Sequence, residues 1–275
     1  IPEGCVLASL PHCEPGGQWD PLHVECRARR EADGWVLDGH KAGVPWGAEA
    51  QVLLVSARTA GAPGDREGLS LFALPVPSAG LVLRGHPDFD GGRSADAGLR
   101  GVVLPDSALV GREGEAAAAL EAGIGCGILA VCAEALGAMD AMLAGTLDYL
   151  KTRRQFGVPI GSFQAVQHRM VDLMLQLEQA RSATINAAVH LDAAGPVRAR
   201  HLAAAKFTVG TAALAFAQEC IQLHGGIGMT WELTLSHHAK RLGLLNFQLG
   251  DEDFHLARYA EAMEPASPAP AEAPL

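Results

Sequence analysis

The chain has 275 residues, 49% of them hydrophobic, 19% charged and 5% aromatic, and it carries a formal charge of −10. That length supplies enough core for one large domain or two of ordinary size. The acidity is shared by both halves, which excludes a general nucleic-acid binder and a protein held on anionic lipid by a basic surface.

The start, Ile1-Pro2-Glu3-Gly4, has no basic n-region, so no secretory signal is expected, and the absence of Met suggests a missing N-terminal portion. Residues 1–112 read as β. Leu22, Val24, Cys26 and Ala28 alternate with His23, Glu25, Arg27 and Arg29, the period of a half-buried strand. Trp35 to Leu37 and the run from His40 flank Asp38-Gly39, a dipeptide suited to a tight hairpin turn. Further short strands are expected at Val52 to Val55, Leu69 to Val76, Leu81 to Arg84 and Gly101 to Leu104, punctuated by Gly and Pro.

From Glu113 the period becomes helical. Ile124, Ile128, Val131, Ala135, Met139, Met142 and Leu143 mark a first helix so poor in charge that most of its sides should be covered, with Gly157 and Pro159 marking its end. Phe163, Val166, Met170, Leu173, Met174 and Leu177 form the stripe of a second. Gly195-Pro196 opens a third, which Gly225-Gly226 stops. A fourth covers roughly Leu235 to Gln248, and a short one follows Asp251, a plausible N-cap. The fold class expected is α+β with two domains: an antiparallel β-barrel or sandwich (1–112) and an up-and-down four-helix bundle (113–264). A Pro/Ala/Glu-rich tail at 265–275 is expected to be disordered. No apolar run reaches 18 residues, so no membrane span is expected, and a cytoplasmic setting is the default. The six cysteines form no CxxC pair and read as reduced thiols.

Two segments carry chemistry. Tyr149-x3-Arg153-Arg154-Gln155-Phe156-Gly157-x-Pro159-Ile160-x2-Phe163-Gln164 sets two cations at a helix C-terminus, which suits either compensation of the helix dipole or a guanidinium fork on a phosphate. Gln222-Leu223-His224-Gly225-Gly226-Ile227-Gly228-Met229-Thr230 has more glycines than a helix stop requires, as for close approach of backbone to a ligand or another chain. His237-His238 points to different helix faces without a third ligand, so no metal is expected. Gly123-x-Gly125-x-Gly127 lies on a helix and reads as tight packing, not a dinucleotide loop. Ala212, Ala213, Ala215 and Ala217 suit close helix approach, either within the core or at a dimer interface.

Together these segments resemble the acyl-CoA dehydrogenase family over nearly the whole chain. Glu14-Pro15-Gly16 resembles that family's turn beside the flavin, and Trp35-x2-Asp38-Gly39-x-Lys41 its β-domain hairpin. The resemblance implies FAD bound at a subunit interface, an acyl-CoA substrate that undergoes α,β-dehydrogenation, and an electron-accepting flavoprotein. It implies a dimer or tetramer with an identical or related subunit, and an N-terminal helical domain that this chain lacks. It assigns Arg153, Phe156, Gln164, Gln222, Gly225 and Gly226 to the cofactor, with Arg153 reaching the pyrophosphate of a neighbouring subunit. The pattern also departs from the family. The two positions at which members carry the catalytic Glu are Leu249 and Gly127 here, and the flavin-contacting Trp and Thr become Gly43 and Pro45. A leucine and a glycine accept no proton, which leaves Asp251 and Glu252 as candidate substitutes, a base on a partner subunit, or a non-catalytic member of the family.

Overall fold

The computed structural model describes residues 4–263 apart from 18 and 33, so the expected tail at 265–275 lies outside the described residues. The chain divides into two compact units, residues 1–123 and 124–275, and the boundary falls inside one long helix.

The first unit is a single eight-stranded sheet. Its strands are β1 (Ala8–Ser9), β2 (Arg27–Glu31), β3 (Gly34–Pro45), β4 (Val52–Arg58), β5 (Leu69–Pro75), β6 (Leu81–Pro87), β7 (Arg93–Leu104) and β8 (Leu109–Val110). The order is β6-β7-β3-β2-β4-β5-β8, with β1 also against β4. All pairs are antiparallel except β1–β4 and β2–β4, so the sheet is mixed rather than purely antiparallel. Inward-pointing Leu37, Leu53, Val55, Phe72, Leu74, Ala95, Leu99 and Val102 form its core.

Two local expectations are corrected. The strand read from Leu22 begins only at Arg27, although Val24, Cys26 and Ala28 are buried as the alternation required. Side chains take several backbone groups of residues 22–26, and Cys26 O accepts from the Arg58 N–H of β4 at 2.7 Å. The Arg58 guanidinium donates to Leu22 O at 2.7 Å and Val24 O at 3.2 Å, and the Glu14 carboxylate accepts from the N–H groups of Glu25 and Cys26. Asp38-Gly39 is not a hairpin turn either. It lies inside β3 at a register shift, and β2 turns into β3 between Glu31 and Gly34. Gly39 has φ 153°, and a Cβ there would come within 2.7 Å of the Cys26 Cα, so the glycine serves close packing.

The second unit is helical. The long helix α1 (Ala117–Thr152) starts before the boundary, and α2 (Gln164–Val189), α3 (Gly195–His224), α4 (Thr234–Phe247) and α5 (Glu252–Met263) follow. A small hairpin, β9 (Arg154–Gln155) with β10 (Val158–Pro159), joins α1 to α2. Helix α3 packs against α2, α4 and α5 and is the most buried of the set, with Leu202, Val209, Phe216 and Cys220 inside. Ala212, Ala213 and Ala217 are buried within this chain's own core. Pro196 sits in the first turn of α3, where its missing N–H costs nothing. The stripe expected on α2 is only partly inward. Leu173, Leu177, Ala180, Thr184 and Ala187 are buried, whereas Phe163 and Met174 face outward. Helix α1 departs from the expectation about membrane spans. Its Ala, Gly, Leu and Cys content makes it long and apolar enough, by length and composition, to cross a membrane, although no continuous apolar run signals this. Ile124, Ile128, Cys132, Ala135, Met139 and Met142 are buried by the fold itself.

Candidate functional site

The two glycine-bearing segments lie far apart in sequence, and Tyr149 joins them. Its ring stacks on His224 with centroids 4.4 Å apart, and its hydroxyl donates to the His224 carbonyl at 3.2 Å. His224 is buried, and its Nδ1 bonds to Cys220 O at 2.8 Å, so the end of α3 is fixed from both sides. The last turn of α1 thereby sets Arg153 on the same ground as the Gln222–Gly226 stop.

Arg153 follows α1. Its N–H donates to Tyr149 O and its carbonyl accepts from Ile160 N–H, each at 2.8 Å, which closes the hairpin around Phe156 and Gly157. Phe156 has φ 52° and is 92% exposed, with its ring edge-on to Phe163. Gln164 is the first residue of α2 and also exposed. A cavity of about 410 Å³ opens beside this corner, lined by Leu150, Lys151, Pro159, Gly161 and Met170 among others. Among the described residues the Arg153 guanidinium has no carboxylate partner and is exposed. Gln222, Gly225 and Gly226 are exposed as well, and nothing lies within 4 Å of where a Cβ on either glycine would be. Gly225 takes φ 65°, which closes the helix at no steric cost. An exposed guanidinium and open backbone in segments joined through Tyr149 and His224 suit an anionic, phosphate-bearing group.

The β-domain motifs also meet. Lys41 Nζ lies 2.6 Å from Glu14 Oε1 and donates to Ser56 Oγ at 2.9 Å, with both charged side chains essentially inaccessible. The turn Glu14-Pro15-Gly16 and the strand carrying Lys41 are thus held by one buried ion pair. Neither residue was singled out as a partner of the other by sequence, because 27 positions separate them.

The candidate base positions have a different character. Leu249 has φ 60°, and a Cβ on Gly127 would lie 2.8 Å from its Cδ1. The two positions that the family resemblance assigns to the catalytic Glu therefore adjoin each other, filled by a leucine and a notch. Two side chains fix this loop through three hydrogen bonds. Lys206 Nζ donates to Asn246 O at 2.9 Å and Gly250 O at 2.7 Å, and the His255 Nε2 bonds to Leu249 O at 2.9 Å. Burial pushes Lys206 down to about 8, with Cys132, Glu252 and Asp251 acting in the opposite sense. Burial also brings His255 down to about 4, its bond to Leu249 opposing this. Both candidate substitutes are engaged. Asp251 Oδ1 accepts from Phe254 N–H at 2.9 Å and so caps α5, as its position suggested. Glu252 accepts a hydrogen bond from the Asn246 amide. The role of Lys206 was not read from sequence. The available signal was a lone cation in the otherwise apolar run Leu202 to Phe207.

The glycines of α1 pack unequally. A Cβ at Gly125 would lie 3.0 Å from Leu202 Cδ1, whereas Gly123 faces open space, so tight packing holds at 125 and 127 only.

The family model described as "Acyl-CoA dehydrogenase, C-terminal domain" matches residues 117–264, more than half of the chain. The mitochondrial short-chain specific acyl-CoA dehydrogenase of Homo sapiens is 31% identical over 238 residues, which are 86% of this chain and 56% of the relative. The isovaleryl-CoA dehydrogenase of Solanum tuberosum is 29% identical over 225 residues, 81% of this chain and 54% of that protein. The chain thus spans about half the length of the curated relatives it matches. Among solved structures, butyryl-CoA dehydrogenase from Megasphaera elsdenii superposes with a TM-score of 0.86 at 25% identity, covering 94% of this chain and 68% of that one. A glutaryl-CoA dehydrogenase from Mycobacterium smegmatis, solved in complex with FADH2, gives 0.84 at 26% identity, covering 94% and 65%. With its mixed β sheet, its helical second unit and these matches, the chain belongs to the acyl-CoA dehydrogenase family.

Proposed function

We propose that this chain is a flavin-binding subunit of an acyl-CoA dehydrogenase whose catalytic base is carried by a related partner subunit. The observation that carries this reading is the packing of Leu249 into the notch at Gly127, which leaves no proton acceptor at either position. The residues suited to a diphosphate, by contrast, are present and exposed: Arg153, Gln164, Gln222, Gly225 and Gly226. Bound FAD would supply the hydride acceptor for α,β-dehydrogenation. This chain's part is to hold the anionic end of that cofactor, where each charge-assisted hydrogen bond contributes roughly 1.5–3 kcal/mol. Removal of the α-proton then needs a carboxylate from elsewhere, in a dry site that raises its pKa. A flavoprotein electron acceptor completes the proposed cycle.

The test is co-expression with a family homologue that has Glu at the position matching Leu249 or Gly127. Acyl-CoA-dependent dye reduction is expected from the co-purified pair and not from this chain alone. Full activity of the purified chain by itself would overturn the heteromeric reading. A pair that stays colourless and inactive would favour a structural or regulatory member of the family.

A further inference from the structure

Two histidines close the connection between α2 and α3. His190 caps α2, and its N–H donates to the carbonyls of Ala187 and Ala188. His201 lies on the second turn of α3. The two rings stack with centroids 3.8 Å apart and planes 16° from parallel. Asn186, on the last turn of α2, ties the pair together. Its carbonyl lies 2.8 Å from His190 Nδ1, and its amide Nδ2 lies 3.2 Å from His201 Nδ1.

These two bonds fix the protons. A carbonyl only accepts, so His190 carries its proton on Nδ1 and leaves Nε2 bare. An amide nitrogen only donates, so His201 must offer a bare Nδ1 and carry its proton on Nε2. A second proton on His190 goes to Nε2 and leaves its bond intact. A second proton on His201 goes to Nδ1, where it removes the acceptor that Asn186 uses and sets a charge against the neighbouring ring. The corner is therefore built for a neutral His201.

The surroundings act in the same sense. Burial holds the pKa of His201 below the usual 6.5, and charge on His190 and on Arg200 pushes it the same way. Among the described residues Asp192, the carboxylate of the connecting turn, pairs with neither ring, and no carboxylate of α1, α4 or α5 offsets those charges. Arg198 of α3 lies beside Gly125 of α1, and Glu121, one turn earlier on α1, is taken by Arg66. Little else holds this end of α2. Of its last turn, residues 186–189, only Ala187 is buried.

We propose that the His190–His201 stack is an acid-sensitive lock on the α2–α3 corner, closed while His201 is neutral and released when it takes a proton. Because the folded value is depressed, the open corner binds that proton more readily than the closed one. Closure is thus fully present above the usual 6.5 and is lost as pH falls below it. The released segment is the last turn of α2, including the exposed Val189, while the core of α3 stays folded.

The test is amide hydrogen exchange of the full chain at about pH 7.5 and about pH 5, corrected for the intrinsic pH dependence of exchange and read in peptides over 185–191. Peptides around Phe216 of α3, in the same unit, give the global change as reference. In the parent, opening of the corner is expected to rise roughly threefold or more in acid, beyond that reference. His201→Gln keeps an acceptor for Asn186 and does not titrate, so its corner is expected to stay protected. Asn186→Asp sets a carboxylate against His201 Nδ1, and the response is expected to change sign, with greater protection in acid. Both positions are at least partly exposed, and the sign change keeps the test decisive if His201→Gln is already loose at neutral pH. Unchanged protection of the parent corner in acid would overturn the lock, and would mean that the Asn186 amide turns over to accept from the charged ring. An acid loss of the same size in the parent and in Asn186→Asp would overturn it equally.

Discussion

Leu249 and Gly127 are complementary surfaces: the glycine on α1 leaves a notch, and the leucine, held at φ 60°, reaches into it so closely that a Cβ on residue 127 would lie 2.8 Å from Cδ1. Leu249 is anchored from behind by Lys206 through Gly250 and by His255 through its own carbonyl. The loop is therefore rigidly built around an apolar side chain.

This contact makes the two positions thermodynamically coupled. Gly127→Ala gains about 0.5–1 kcal/mol of helix propensity. In the parent chain that gain is expected to be offset, because Leu249 must rotate away from the new methyl. In a Leu249→Ala background the full gain should appear. Urea unfolding of the four variants measures the coupling, and strict additivity would show that the two side chains do not meet.

The Glu14–Lys41 pair is expected to be costly to break from one side. Lys41→Met leaves a buried carboxylate with only backbone N–H partners, at a cost of about 3–5 kcal/mol, whereas the double variant Glu14→Gln with Lys41→Met loses markedly less. Chemical denaturation checks this. Equal losses in the single and double variants would mean that the ion pair carries no coupling.

Lys206 and His255 give stability a defined pH dependence. The folded pKa of each is depressed, so the unfolded chain binds more protons between the folded and unfolded values, and stability rises with pH there. For Lys206 the window runs from about 8 to the ordinary value of 10.5, and the gain reaches roughly 3 kcal/mol. For His255 the window runs from about 4 to 6.5, and stability is lost as pH falls through it. Denaturant midpoints across pH should show both rises. Lys206→Met is expected to remove the alkaline one and His255→Phe the acid one.

Asp251 and Glu252 separate two kinds of role. As a helix cap, Asp251→Ala should cost about 1 kcal/mol of stability and Asp251→Asn much less, since Asn also caps. If either carboxylate served as the base, Asp251→Asn or Glu252→Gln would abolish dye reduction without a comparable loss of stability. In the co-purified pair, unchanged rates in both variants are expected.

The period of the sequence carried most of the architecture. The switch from strand to helix spacing after Glu113, the Pro196 start and Gly225 stop of α3, and the cap at Asp251 all reflect local chemistry that acts within a few residues. What escaped the reading depended on distant partners. Residues 22–26 alternate like a strand, yet their backbone is taken by Arg58 and Glu14, from 34 and 11 positions away. Asp38-Gly39 looks like a turn, but the missing Cβ is needed against Cys26. At the candidate site the motif residues were legible as a family pattern. Their assembly through Tyr149 and His224, and the anchoring of the Leu249 loop by Lys206, are tertiary facts without a local signature.

The most direct test of the cofactor reading is the FAD affinity of the chain, alone and with its co-expressed homologue, compared between the parent and Arg153→Ala. Loss of one charge-assisted contact of about 1.5–3 kcal/mol should weaken binding by roughly tenfold or more, with the flavin absorption lost on gel filtration. Equal flavin retention by both proteins would contradict the assignment of Arg153 to the cofactor's diphosphate.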